Sequence, residues 1–197
     1  MDNGKIIIIT APSGSGKTTL VKRLLKACPE LSFSISACTR NPRQGESHGK
    51  DYYFYTDEEF KQLIDKDSFI EWEMVYTGKY YGTLKSEADR IWQSGHYPLV
   101  DIDVQGALAI QAKYPDSSIT LFIQAPSLEE LRKRLELRGT ETPHTLDERV
   151  SKATLELSFA PQFDKIIIND NLDDATDELV QVVREFINTP VTQTSSI

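Results

Sequence analysis

The sequence is short of cysteine, of long apolar runs and of positive charge. Its 197 residues include only two cysteines, Cys28 and Cys38, which give no disulfide framework, so a reducing cytoplasm is the expected location. No apolar run approaches the roughly 18 residues that span a membrane, and four isoleucines near the start are too few for a signal peptide. The net charge of −8 argues against a broad surface for nucleic acid or anionic membranes. An anionic ligand must therefore meet a local cluster of cations.

The remaining composition, 39% hydrophobic and 26% charged, is typical of one globular domain. Periodicity predicts buried strands at Ile6–Thr10, Pro98–Asp103, Ile119–Ile123 and Lys165–Asn169. Helices are predicted between them at Lys17–Cys28, Gln105–Tyr114, Ser127–Arg138 and Leu172–Ile187. Capping-box spacing occurs at Ser127 with Glu130 and at Thr145 with Glu148. This alternation predicts an α/β fold with a parallel sheet covered on both faces.

Two segments interrupt the alternation. From Ser32 to Thr83, three short strand patterns ("FSISA", "DYYFYT" and "FIEWEMVY") surround one helix after Thr56, which predicts a small inserted α+β lobe. The polar stretch from Arg138 to Arg149 predicts a second insertion. We therefore expect a single domain over residues 1–188, with core segments 1–34, 87–127 and 156–188, a lobe at 35–86 and a lid at 128–155. Residues 189–197 are expected to form a disordered tail.

The stretch "APSGSGKTTL" leads from the first predicted strand into the first helix. It matches the phosphate loop G-x-x-x-x-G-K-[ST], except that Ala11 stands at the first glycine. Backbone N–H groups of such a loop surround nucleotide phosphates, Lys17 would reach the β- and γ-oxygens, and Thr18 would help to place Mg²⁺. A positive φ is not needed at Ala11, because the phosphate cradle itself begins at Ser13. The alternative is a strand-to-helix turn that matches by chance. The predicted triphosphate site comprises Ala11, Pro12, Ser13, Gly14, Ser15, Gly16, Lys17 and Thr18.

The lobe offers candidates for binding a second substrate. Arg40 and Arg43 lie three residues apart in a predicted loop, and Tyr52 begins the next strand. Two guanidinium groups and a phenol suit a phosphate monoester, because guanidinium binds phosphate through two hydrogen bonds. The alternative is a solvated loop in which the arginines pair with Glu46 or Asp51.

Glu71 alternates with Ile70 and Trp72 in an apolar strand pattern. A carboxylate that faces a closed pocket would accept two hydrogen bonds from the N1–H and N2–H₂ edge of guanine. Ser36 and Thr83 would donate to guanine O6. Adenine lacks these donors, so its N1 lone pair would face the carboxylate. The alternative is an exposed glutamate on an edge strand.

Acidic and basic residues follow later in the chain. The strand pattern "LVDID" ends in Asp101 and Asp103, as a Walker B strand does, which would place an acid near Mg²⁺. Arg134 and Arg138 share a helical face, and Arg149 follows the polar insertion. Such cations would stabilise a phosphoryl group in transfer. The alternative is a surface helix with Glu–Arg pairs.

These segments resemble the guanylate kinase family from about Lys5 to Ile187. The matching stretches are "APSGSGKTTL", "TRNPRQGE", "GKDYYF", "FIEW", "YYGT", "DIDVQGA", "RLELRGTE" and "IIND". The resemblance implies Mg²⁺-dependent transfer of the ATP γ-phosphate to GMP, giving ADP and GDP, in purine nucleotide metabolism and GMP recycling. It also implies a P-loop kinase core with a central parallel sheet flanked by helices, an inserted GMP-binding lobe and a mobile lid.

The resemblance assigns site residues by position. The guanine positions are Ser36, Glu71 and Thr83. The positions that hold the GMP phosphate are Arg40, Arg43, Tyr52 and Tyr81. The acids are Asp101, nearer GMP, and Asp103, which binds the metal with Thr18. The catalytic positions are Lys17, Arg134, Arg138 and Arg149. The ATP base and ribose are assigned to Asn169 and Asp170.

Two rival classes are a non-catalytic binding module of this fold and a kinase for adenylate or a pyrimidine nucleotide. Lys17 and Arg149 argue against the first, and Glu71 argues against the second. The expected partners are ATP and GMP, with neither nucleic acid nor membrane, and the oligomeric state is left open. Cys38 lies near Arg40, which favours a reactive thiolate, whereas burial would make it an inert thiol.

Overall fold

The computed structural model describes residues 4–137 and 143–190. Its strands are β1 (Ile6–Thr10), β2 (Leu31–Phe33), β3 (Ala37–Cys38), β4 (Tyr53–Phe54), β5 (Phe69–Tyr76), β6 (Lys79–Leu84), β7 (Tyr97–Asp101), β8 (Ser118–Gln124) and β9 (Lys165–Ile168). Its helices are α1 (Lys17–Ala27), α2 (Asp57–Asp65), α3 (Lys85–Gln93), α4 (Val104–Lys113), α5 (Leu128–Leu137), α6 (Pro143–Ser158) and α7 (Leu172–Asn188). These elements form two sheets with helices packed against them.

A five-stranded parallel sheet, in the order β2-β7-β1-β8-β9, forms the core. The central strand β1 is buried throughout, as four consecutive isoleucines favour. Ile7 and Ile9 pack towards α1 and α7, whereas Ile6 and Ile8 pack towards α4. Helices therefore cover both faces of the sheet, which confirms the prediction from the alternating pattern.

A four-stranded sheet, in the order β4-β3-β6-β5, forms a lobe beside the core. Helix α2 begins with a capping box, in which the hydroxyl of Thr56 and the carboxylate of Glu59 bond each other's backbone N–H. Its Phe60 ring stacks on Phe69, with centroids 4.4 Å apart, and fixes α2 against the sheet.

Predicting "FSISA" as one strand of the lobe was wrong. The chain leaves the core sheet after Phe33 and enters the lobe sheet at Ala37, so the stretch divides between two sheets. The N–H of Ser34 still donates to the core carbonyl of Leu99 at 2.9 Å. The apolar pattern is continuous across this crossing, and for that reason it did not reveal the change of sheet.

The capping box predicted at Thr145 and Glu148 also needs correction. From Pro143 onwards the chain is helical, so Thr145 lies inside α6 instead of capping it. Leu146 and Ala153 pack against α5, and this narrow apolar face explains why a polar segment forms a helix. Helix α3 was likewise absent from the predicted elements. Residues 138–142 lie outside the described part of the chain.

The C-terminal helix α7 ends at Asn188, and the predicted tail falls mostly at 191–197, outside the described residues. Every helix in the described ranges is too short or too polar to traverse a lipid bilayer. The bounds of core, lobe and lid, and the cytoplasmic location, stay predictions.

Candidate active site

A cleft of about 610 Å³ lies between the phosphate loop and the lobe. Predicted residues of both substrate sites line it together: Ala11, Pro12, Ser13, Gly14, Gly16, Lys17, Thr18, Ser36, Tyr52, Glu71, Tyr81, Asp101 and Asp103. The fold thus brings the candidate triphosphate site and the candidate acceptor site to opposite walls of one cavity.

The phosphate loop is shaped by backbone conformation and by one buried amide. Gly14 and Gly16 have φ of 94° and 90°, in the left-handed region that favours glycine. Among the described non-glycine residues only Asp67 has a positive φ, so Ala11 needs none, as predicted. The Nδ2 of Asn169 donates to the Ser15 carbonyl at 2.8 Å. A Cβ at Gly16 would lie 2.2 Å from that Nδ2, so the close packing requires glycine.

Lys17 and Asp101 form an ion pair across the cleft wall. Lys17 begins α1, and Asp101 ends β7, whose neighbour β1 leads into the loop. Lys17 Nζ contacts Asp101 Oδ1. The other predicted acid, Asp103, caps α4, where its Oδ1 accepts from the N–H of Gln105 at 2.8 Å and that of Gly106 at 3.1 Å. Both acids lie at the carboxyl end of the sheet, as a Walker B strand requires.

Glu71 is buried, with 8% of its surface exposed, although the strand alone suggested an exposed edge glutamate. The Thr83 hydroxyl on the neighbouring strand donates to its Oε1 at 2.7 Å. Burial raises the pKa of Glu71 to about 7, and the charge of Asp103 adds to the rise while the Thr83 bond opposes it. The exposed face of β5 carries Trp72 instead, at 41%. The exposed alternative for Glu71 is therefore wrong.

A close packing against α4 gives the Glu71 carboxylate its position. A Cβ at Gly106 would lie 2.9 Å from Glu71 Oε2, so a side chain there would displace the carboxylate. Gly106 lies in the first turn of α4, three residues after the Asp103 cap, so the helix that fixes one predicted acid also leaves room for Glu71.

Arg40 is paired with Glu46, as the solvated-loop alternative described. Its Nη1 and Nη2 donate to the Glu46 carboxylate at 2.6 and 2.8 Å, and its guanidinium lies 4.7 Å from the centroid of the Tyr52 ring. The hydrogen bond from Arg40 lowers the pKa of Glu46 to about 2. The backbone N–H of Arg43 donates to Glu46 at 2.8 Å, while the Arg43 side chain is exposed. Arg40, Tyr52 and Tyr81 form one cluster, in which the two tyrosine ring centroids are 6.3 Å apart and both tyrosines line the cleft.

Cys38 is fully buried in the lobe sheet, and burial raises the pKa of its thiol despite the nearby Arg40. This agrees with the inert-thiol interpretation.

The predicted cations of α5 and α6 have different surroundings. Arg149 Nη1 donates to the Ser13 hydroxyl at 3.4 Å, which places it beside the phosphate loop. Arg134 pairs with Glu130 at 2.9 Å and donates to the Asn169 carbonyl at 3.0 Å. Arg134 thereby helps to position Asn169, whose side chain bonds the phosphate loop. Arg138 lies outside the described residues, and Asp170 is exposed.

Sequence reasoning missed Lys152 and Glu156 of α6, which line the cleft. Their charged groups lie 3.9 Å apart, and burial raises the pKa of Glu156. The signal was present, because Arg149, Lys152 and Glu156 are spaced three and four residues apart, on one face of a helix. Because no helix was predicted in this segment, the spacing did not indicate that these three side chains share a face.

A model of the guanylate kinase family matches residues 3–186. The chain belongs to the guanylate kinase family. Guanylate kinases of Bacteroides thetaiotaomicron and Porphyromonas gingivalis are 46% and 45% identical to it. These matches cover 94% and 93% of this chain, and 91% and 98% of those proteins. A crystal structure of guanylate kinase from Anaplasma phagocytophilum has a TM-score of 0.76 at 28% identity, covering 99% of this chain and 92% of that one.

Membership in the guanylate kinase family confirms the predicted α/β class with its central parallel sheet. Guanylate kinases are nucleoside monophosphate kinases, so the chain belongs to a family of enzymes. The roles of the individual site residues stay predictions.

Proposed function

We propose that this chain transfers the γ-phosphate of ATP to GMP, giving ADP and GDP, with ATP on the phosphate loop and GMP in the lobe. The observation that carries this proposal is the buried carboxylate of Glu71 in the same cleft as the loop. A buried carboxylate needs hydrogen-bond donors, and guanine offers two on one edge. Its reaction would belong to purine nucleotide metabolism and GMP recycling.

Base selection would depend on Glu71 and on two hydroxyls. Thr83 donates its single hydroxyl proton to Glu71, so it orients the carboxylate and cannot donate to guanine O6 at the same time. Ser36, which lines the cleft, supplies a second hydroxyl for O6. AMP would set its N1 lone pair against the carboxylate, and the unpaired polar groups would make it a very poor acceptor.

The acceptor phosphate would replace Glu46 as the partner of Arg40. The carboxylate of Glu46 already occupies the guanidinium fork in a two-bond geometry that a phosphate also fits. Tyr52 and Tyr81 line the cleft beside Arg40. The exposed Arg43, three residues after Arg40, would add a second guanidinium group to the phosphate contacts. Asp101 lines the same cleft.

The donor phosphates would be held by the backbone N–H groups from Ser13 to Thr18, aided by the N-terminal end of α1. Lys17 would leave Asp101 and contact the β- and γ-oxygens. Arg149 donates to the Ser13 hydroxyl in the loop, so it is placed to contact the transferring group. Arg134 and Arg138 would complete the clamp, and closure over the cleft would exclude water.

The donor set at the loop suits Mg²⁺. The hydroxyl of Thr18 and the carboxylate of Asp103 are hard oxygen ligands in the same cleft. Within residues 4–137 and 143–190, no group of three or more His, Cys, Asp or Glu side chains is arranged to hold a metal. This fits an ion that arrives with substrate phosphates and keeps several waters. Thr18 and Asp103 would hold the ion, which would supply positive charge to offset the charge that develops on the transferring phosphoryl group.

A coupled assay of ADP formation, with GMP, AMP, CMP, UMP and dTMP as acceptors, tests the proposal. We expect turnover with GMP and little with the others. Turnover with none of the five would favour a binding module, and a preference for AMP or a pyrimidine nucleotide would favour a kinase of another specificity.

A further inference from the structure

A second buried carboxylate, outside the cleft, joins the lobe to the core. Glu87 lies in the first turn of α3 and is 2% exposed. It is not part of the cleft wall, and none of the roles proposed above uses it. A buried charge of this kind needs several partners, and these partners show what it does.

Four hydrogen bonds reach Glu87 from three parts of the chain. The backbone N–H of Ile35 donates to Oε1 at 3.1 Å, and the hydroxyl of Tyr53 donates to Oε2 at 2.9 Å. Arg90, one turn along α3, donates through Nε and Nη2 at 2.9 and 2.8 Å. Burial alone would raise the pKa of Glu87, but these hydrogen bonds together lower it, so the carboxylate is ionised at neutral pH.

The three parts are the two crossings between core and lobe, and the lobe itself. The chain enters the lobe through residues 34–36, where Ser34 bonds the core and Ile35 bonds Glu87. It returns to the core through α3, which carries Glu87. Tyr53 belongs to the lobe strand β4, and its N–H donates to the Ser36 carbonyl at 2.9 Å. The Glu87 carboxylate therefore connects the segment that enters the lobe, the helix that leaves it and the lobe strand β4.

Two of the three residues that donate to Glu87 adjoin a residue of the proposed GMP site. Ile35 directly precedes Ser36, and Tyr53 directly follows Tyr52. Glu87 itself lies four residues after Thr83, which holds Glu71. A shift of the Glu87 carboxylate would therefore move guanine and phosphate contacts together.

We infer that Glu87 is a positioning residue for the acceptor nucleotide, holding the lobe in the orientation that aligns its GMP contacts. This rests on the proposed function, because it concerns the same acceptor site. It predicts an effect on GMP and little effect on ATP, whose loop receives no bond from this cluster.

Tyr53→Phe is the mildest test, because it removes one hydroxyl and keeps the ring that packs in the lobe. We expect the KM for GMP to rise about three- to tenfold, with kcat and the KM for ATP within about twofold of wild type. Calorimetric titration with GMP alone should show the same loss of affinity. Tyr55→Phe, on a ring in the same apolar cluster, is the matched control and should change neither the KM for GMP nor the GMP affinity measured by calorimetry.

Glu87→Gln is the stronger variant, because an NH₂ group would then face donors instead of accepting from them. If Glu87 acts on the acceptor site through Tyr53, the variant that combines Tyr53→Phe with Glu87→Gln should lose little more GMP affinity than Glu87→Gln alone. Additive losses would overturn the inference. A lowered melting temperature with an unchanged KM for GMP in both single variants would also overturn it, by assigning the cluster to stability. Failure of wild type to phosphorylate GMP at all would instead overturn the proposed function.

Discussion

At the phosphate loop the cleft is formed by backbone, with Gly14 and Gly16 at φ of 94° and 90°, whereas at the lobe it is formed by paired side chains. Asn169 holds the loop by its Ser15 carbonyl, so the cradle exists before any ligand arrives. In the lobe, Glu71 and Arg40 are already bonded to partners that a nucleotide would have to share or replace.

This difference matches what each wall has to recognise. Phosphates are common to all nucleotides, and backbone N–H groups bind them whatever the base. A base is distinguished by its hydrogen-bonding edge, which calls for side chains of a particular type. We therefore expect changes at the loop to abolish transfer with any acceptor, and changes in the lobe to alter which acceptor is used.

The largest effect is expected for Lys17→Ala. Lys17 pairs with Asp101 and is proposed to move to the phosphates, so its loss should lower kcat about a thousandfold or more, while calorimetry should show GMP binding the lobe nearly as before. Lys22→Ala, on an exposed position of the same helix, is the control. Substantial activity in Lys17→Ala would mean that the phosphates are held elsewhere.

The sequence was sufficient to predict the loop because its residues are contiguous. Lys17 follows Gly16, so spacing alone predicts the cradle, and the absence of a positive φ at Ala11 was predicted as well. The core strand β1 was equally predictable, because four isoleucines favour burial on both faces.

The lobe was less predictable because its contacts join distant residues. Alternation placed Glu71 and Trp72 on opposite faces but did not show which face was buried, and here the tryptophan is the exposed one. Glu71 and Thr83 were both candidates for guanine, yet their mutual bond depends on the register of β5 and β6. The polar composition of α6 gave no prediction of a helix there, so Glu156 was not recognised as a cleft residue.

Glu71→Gln tests the lobe as the selective wall. It keeps the side-chain volume but sets an NH₂ donor against a guanine donor, which should cost about 2–4 kcal/mol in kcat/KM for GMP. ATP binding should hardly change, and AMP should gain relative to GMP. Glu73→Gln, two residues along the same strand, is the control. An unchanged preference for GMP over AMP would contradict the guanine assignment.

The pH dependence of GMP binding should show a smaller effect at the same carboxyl. In the proposed site, the guanine donors would bind the ionised form of Glu71, whose pKa is raised by burial to about 7. Lowering the pH from about 8 to about 6 should therefore weaken GMP binding about tenfold. Glu71→Gln is the control, since it retains the titration of the GMP phosphate and loses that of the side chain. Parallel pH profiles in the two proteins would contradict the prediction.

The same raised pKa has a consequence for stability. A carboxyl whose pKa is higher in the folded than in the unfolded state binds a proton on folding, so its contribution is complete below the unfolded pKa and is lost as the pH rises towards about 7. Without ligand, the free energy of unfolding of wild type should fall relative to Glu71→Gln as the pH rises from about 5 to about 7. Denaturant titration at several pH values measures this difference.

The smallest effect is expected for Ala11→Gly, which restores the commoner residue of the motif. Because φ at Ala11 is not positive, glycine is not required there, and its extra freedom in the unfolded chain should lower stability by less than about 1 kcal/mol. The KM for ATP and kcat should stay within about twofold of wild type. Gly16→Ala makes the opposite change five residues later, where φ is 90° and a Cβ would meet Asn169, and it should greatly impair ATP binding. If Ala11→Gly changed the KM for ATP tenfold, the cradle would begin at Ala11, and the loop would depend on a side chain as the lobe does.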